Sequence, residues 1–242
     1  MATPELLSEH GCFGGLQRFY KHESQVIGLP MKFSVFLPPQ AKQANAKVPA
    51  LVYLAGLTCN EETFMTKGGA QQLAAELGMA LIAPDTSPRG AGASGETDSW
   101  DFGVGAGFYL DATEAPWSKH YRMESYITTE LLPLVASILP IDNSRIGIFG
   151  HSMGGHGALT LALRHSDLFK SVSAFAPIAA PSQCPWGHKA LTGYLGADKT
   201  EWAKHDATAL MTEVSKAPFP GGILIDQGMA EKLMPVIQDA DG

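Results

Sequence analysis

Arg145-Ile146-Gly147-Ile148-Phe149-Gly150-His151-Ser152-Met153-Gly154-Gly155-His156-Gly157 is the stretch whose reading decides the fold. A short β-rich run, Arg145 to Phe149, leads straight into Gly150-His151-Ser152-Met153-Gly154, which fits the pattern G-x-S-x-G. Leu159, Ala162 and Leu163 then recur at helical spacing, so a helix is expected over Gly157 to His165. Strand, sharp turn and helix in that order are the setting of a nucleophile elbow. So tight a turn strains its central residue, and glycine two positions away on either side avoids a clash. The serine then points into the crevice at the carboxyl end of the strand. The helix presents its positive end to a developing oxyanion. Ser152 is therefore the candidate nucleophile. His151 is read as packing or structural, with its side chain directed away from the crevice.

Working outward, apolar runs at Val48 to Leu54 and Ala80 to Ala83 have the pattern of strands buried on both faces. Val172 to Phe175 and Ile223 to Ile225 complete that set. Met31 to Leu37 alternates and stops at Pro38-Pro39, as an edge or early antiparallel strand does. Helical patterns fall between, at Ala70 to Leu77 and at Tyr121 to Leu139 despite Pro133. Alternating strands and helices predict an α/β fold, a mostly parallel sheet covered on both faces. The loop from Thr86 to Thr113 holds six glycines and no periodicity, and a loop of that length in a compact domain is usually functional.

The bulk properties agree with one domain over residues 1–242: 45% of the residues are hydrophobic, enough for a sizeable core. A net charge of −7 argues against a nucleic-acid partner or an anionic membrane surface. The three cysteines, Cys12, Cys59 and Cys184, form no C-x-x-C pair, so neither a disulfide framework nor a zinc site is expected. No run approaches the ~20 apolar residues that span a membrane. Met1 to Phe13 lacks the charge and apolar pattern of a secretory signal, and a cytoplasmic location is expected. Gly103-Val104-Gly105-Ala106-Gly107 is not G-x-G-x-x-G and has no strand–turn–helix frame, so no nucleotide loop is read there. No metal and no cofactor are expected.

Two further segments fit the chemistry of Ser152. Leu54-Ala55-Gly56-Leu57-Thr58-Cys59 follows a buried strand upstream of the nucleophile. In this fold the oxyanion hole takes one backbone N–H from the residue after the nucleophile and one from such a loop, which makes Met153 and Leu57 the candidate donors. Cys59 falls near the site. Ile223-Leu224-Ile225-Asp226 puts a carboxylate at the end of a late apolar strand. Triad order in this fold is serine, acid, histidine, so Asp226 is the candidate acid.

Together these segments resemble S-formylglutathione hydrolase, also called esterase D. The likeness runs from about residue 8 to residue 228. It includes Leu54 through Cys59, Ala83-Pro84-Asp85-Thr86-Ser87-Pro88-Arg89-Gly90, Ser99-Trp100-Asp101-Phe102-Gly103, and Gly105-Ala106-Gly107-Phe108-Tyr109. It continues in Gly150 through Leu159, Ser171 through Pro177, Cys184-Pro185-Trp186-Gly187 and Ile223 through Gly228. The resemblance implies an α/β-hydrolase fold and a cytoplasmic thioesterase that cleaves S-formylglutathione to glutathione and formate, a step of formaldehyde removal. It assigns the nucleophile to Ser152 and the acid to Asp226, and it implies a homodimer. A formyl group is small, so a tight acyl pocket is expected, with Trp100, Trp186 and Cys59 as candidate lining. Arg89 and Lys67 are candidate partners for the carboxylates of glutathione.

One departure stands out. The family's triad histidine lies beyond the acid, and all eight histidines here precede Asp226. The expectation is a chain truncated after the acid, lacking the last strand and helix. Two other readings follow: a general carboxylesterase or acyltransferase on the same scaffold, or a catalytically inactive hydrolase-fold fragment.

Overall fold

The computed structural model describes residues 3–214 and 218–228. Eight strands form one sheet: β1 (Glu5–Cys12), β2 (Gly15–Glu23), β3 (Pro30–Leu37), β4 (Val48–Leu54), β5 (Ala80–Pro84), β6 (Ile141–His151), β7 (Phe169–Phe175) and β8 (Ile223–Asp226). Their order is β1-β2-β3-β5-β4-β6-β7-β8. The first four in that order pair antiparallel, and every pair from β5 to β8 is parallel. The expected α/β architecture is thus present. The helices are α1 (Thr63–Lys67), α2 (Gln71–Leu77), α3 (Met123–Ser125), α4 (Leu132–Ile138), α5 (Met153–Arg164), α6 (Pro185–Leu195), α7 (Lys199–Ala203) and α8 (Ala207–Thr212). A π-helical turn at Tyr126–Leu131 joins α3 to α4 and leads directly into Pro133, which has no N–H to donate to the preceding turn.

Alternation along β4 shows how the sheet is covered. Val48, Ala50, Val52 and Leu54 enter the larger apolar cluster, with Leu134 and Val135 of α4 and Leu159 and Leu161 of α5. Leu51 and Tyr53 point to the opposite face and pack on a smaller cluster containing Phe64 and Met65 of α1 and Ala74 and Ala75 of α2.

The strand at Met31–Leu37 is the early antiparallel strand of the two expected forms rather than an edge: it lies between β2 and β5, antiparallel to both, with an additional hairpin on its outer side. That hairpin, β1–β2, turns at Phe13-Gly14 with φ of 45° and 75°, the conformation of a two-residue loop that matches strand twist. The helix after the elbow begins at Met153 rather than Gly157. Among the described residues β8 is the last strand, and Ile223 to Ile225, expected to be buried on both faces, is instead exposed at Leu224 and Ile225 because no further strand among those residues covers it. The final stretch, 229–242, on which the expected truncation bears, lies outside the described residues.

Candidate active site

The elbow forms because of where its glycines sit. A Cβ on Gly150 would lie 2.2 Å from the Gly154 carbonyl oxygen, and one on Gly154 would lie 1.9 Å from the Leu54 carbonyl oxygen. Only glycine lets β6, α5 and the end of β4 approach so closely. Ser152 between them has φ 58° and ψ −122°, a left-handed conformation that costs a non-glycine residue of order 1–3 kcal/mol. The surroundings hold it there: its N–H donates to the Phe175 carbonyl at 2.9 Å, and its own carbonyl accepts from the His156 N–H at 3.0 Å.

Asp226 lies one strand further across. Phe175 of β7 is its register partner, and the Ala176 N–H donates to the Asp226 carbonyl at 2.7 Å. Ser152 and Asp226 therefore sit at the carboxyl ends of β6 and β8 with the end of β7 between them, the edge of a parallel sheet where ligands bind. The Asp226 residue is exposed.

The loop after β4 comes against the elbow, with a Cβ on Gly56 falling 3.3 Å from Ser152 Cβ. Met153 is the first residue of α5, so its N–H has no carbonyl one turn back in the helix. In the loop, Thr58 donates to the Gly105 carbonyl at 2.9 Å and Cys59 to the Gly56 carbonyl at 3.3 Å, while the N–H of Leu57 has no backbone acceptor among the described residues. The Cys59 carbonyl accepts from Thr86 Oγ1 at 2.6 Å and Arg89 Nη2 at 3.0 Å.

The other candidates have partners of their own or stand on the surface. Arg89 is oriented by Asp85, to which its Nε and Nη2 donate at 2.7 and 2.8 Å. Lys67 is exposed at the end of α1. Trp100 and Trp186 meet each other, ring centroids 5.6 Å apart, and the Trp186 indole N–H donates to Asp101 at 2.9 Å. Asp101 also pairs with Lys189. Phe102 turns away from these indoles and stacks on Tyr194. His151 is exposed rather than packed, and its Nδ1 lies 3.7 Å from the place of a Gly56 Cβ.

The other histidines are engaged or remote. His22 bonds Tyr126, His120 the Ile27 carbonyl, His165 Glu124 and His188 the Ser182 carbonyl. His10 sits on the edge hairpin against Phe19. Burial lowers His156 and His205 to about 4 each. Among the described residues no histidine bonds Ser152 or Asp226, and no group of three His, Cys, Asp or Glu side chains is placed to hold a metal ion. No helix there is long and apolar enough to cross a membrane. Sequence reasoning missed the residues that brace the Leu57 loop, Thr86, Gly105 and Tyr109. They lie in a segment without periodicity, where glycine density and the family resemblance marked the loop but gave no role to these residues.

A mostly parallel sheet carrying a G-x-S-x-G serine at a strained strand–helix turn defines the α/β-hydrolase class. The family model described as "Putative esterase" matches residues 24–241. S-formylglutathione hydrolase of Rattus norvegicus is 53% identical over 94% of this chain and 79% of its own length. That of Paracoccus denitrificans is 52% identical over 97% of this chain and 82% of its own. A solved S-formylglutathione hydrolase from Agrobacterium tumefaciens superposes with a TM-score of 0.90 at 46% identity, covering 97% of this chain and 84% of that one. The chain belongs to the S-formylglutathione hydrolase family.

Proposed function

We propose that this protein hydrolyses S-formylglutathione to glutathione and formate, with Ser152 as nucleophile, Asp226 as triad acid, and the N–H groups of Leu57 and Met153 as oxyanion donors. The observation that carries the reading is Ser152 itself, held at positive φ where the ends of β4, β6 and β7 meet. The relatives supply the substrate.

In this scheme Ser152 Oγ attacks the formyl carbon and gives its proton to a histidine base. The carbonyl oxygen becomes an oxyanion held by the two N–H groups. The C–S bond then breaks, and the thiolate of glutathione takes the proton back from the histidine. Water attacks the formyl-enzyme, again losing a proton to the base, and formate leaves with Ser152 restored. Asp226 orients the histidine and stabilises its charged form. The resemblance places that histidine after Asp226, and no histidine follows Asp226 in this sequence. The formaldehyde-removal role, a cytoplasmic setting and a homodimer belong to the same proposal, on the family resemblance alone.

The test is glutathione release from S-formylglutathione by protein expressed from its complete reading frame, beside simple acetyl esters. A preference for the thioester supports the substrate. A strong preference for acetyl esters overturns it in favour of a general carboxylesterase.

A further inference from the structure

We propose that Tyr109 is the positioning residue that sets the spacing of the two oxyanion donors, an inference that rests on the assignment of Leu57 and Met153 to that role. The two donors belong to different elements. Met153 opens α5, and Leu57 lies in the loop after β4, so something must fix one against the other.

Tyr109 touches both elements, though neither donor itself. Its hydroxyl donates to the Ala55 carbonyl at 2.8 Å, two residues before Leu57. Its ring lies on Gly157, one helical turn after Met153: a Cβ there would fall 2.4 Å from Tyr109 Cδ2 and 2.8 Å from its Cβ. The same Ala55 oxygen faces the helix directly, 2.7 Å from the place of a Gly154 Cβ. The Ala55 carbonyl is thus held between the first turn of α5 and the tyrosine.

Three further features fit a positioning role. Tyr109 is 1% exposed, and burial pushes its hydroxyl well above the usual phenol range, so it stays a donor at any working pH. Phe108 and Tyr109 have φ of 50° and 54°, two successive non-glycine residues in the left-handed region. Such strain persists only where the surroundings fix it, and here it aims the ring inward. The same glycine-rich loop also holds the far side of the Leu57 turn, where Gly105 accepts from the Thr58 N–H at 2.9 Å.

A merely structural tyrosine would satisfy a buried carbonyl and do nothing for the oxyanion. Tyr109→Phe separates the two roles, because it keeps the ring on Gly157 and removes only the donor. In protein expressed from its complete reading frame, kcat for p-nitrophenyl acetate is expected to fall roughly 10- to 100-fold with KM within about twofold. Labelling of Ser152 by a fluorophosphonate, whose phosphoryl oxygen occupies the oxyanion hole, is expected to slow by a similar factor of roughly 10–100. The 4-fluorophenylalanine variant fills the hydroxyl's space without a donor and is expected to show the same loss if the Phe variant is too unstable to assay. Wild-type kcat and labelling in the folded fraction of either variant, with only the melting temperature lowered, overturns the proposal. Both readouts are independent of glutathione. A wild-type protein that labels and cleaves the ester but not S-formylglutathione therefore overturns the substrate assignment and leaves this test intact.

Discussion

Ser152 stands where an apolar run, a G-x-S-x-G turn and a helical spacing coincide. Each glycine of the pattern has a steric cause. Gly154→Ala would drive a methyl group to 1.9 Å from the backbone oxygen of Leu54, where no side-chain rotation relieves the overlap. The expected cost is about 3 kcal/mol, read as a lowered urea midpoint, and a midpoint within error of wild type would contradict the packing described. Tyr109 and His151 mark the limit of such reading. The part Tyr109 plays depends on where a loop without periodicity closes, and no local pattern encodes that. His151 was expected as a packing or structural residue directed away from the crevice, but the elbow leaves the residue before the nucleophile exposed beside Gly56.

Among the elements, the parallel strands were read well and the edges poorly. β4 and β5 are apolar because the sheet around them is covered on both faces, whereas β8, equally apolar in sequence, is exposed at Leu224 and Ile225. β1 is exposed along most of its length and its residues are mixed, so its strand character comes from pairing with β2 rather than from burial. The helix α5 starts earlier than its apolar spacing suggests, because its first turn is made of glycines at the site and a buried histidine. Its far end is fixed by Glu124 of α3, which accepts from Arg164 Nε at 2.9 Å and pairs with His165 Nε2 at 2.8 Å. Burial alone would raise the Glu124 carboxyl, but the bonds from His165 and Arg164 outweigh it and hold the group below the usual range. Both partners are partly exposed, which limits the contribution of the pair. Glu124→Ala should cost about 2 kcal/mol, and Glu124→Gln less, in chemical denaturation. Equal stability of Glu124→Ala and wild type would remove this anchor from the account.

At the scale of the whole molecule, two histidines tie stability to pH. His156 and His205 are buried, and burial lowers both to about 4 from an ordinary value of 6.5. Between those limits the unfolded chain binds protons that the native state refuses, so stability must fall as pH drops from about 6.5 towards 4. The loss should reach a few kcal/mol, seen as a melting temperature that declines across that window. A His156→Gln, His205→Gln double variant should flatten the decline, whereas an unchanged slope would assign it to other groups. The fold as a whole was legible because long loops as well as strands carry the family's pattern. The triad base was not, because no histidine follows Asp226 in this sequence.

The most direct test of the central claim is S-formylglutathione hydrolysis by the purified protein, expressed from its complete reading frame, beside Ser152→Ala. The account predicts release of glutathione and formate that falls by roughly 10³-fold or more in the variant. Equal rates in the two proteins would mean that the chemistry does not pass through Ser152.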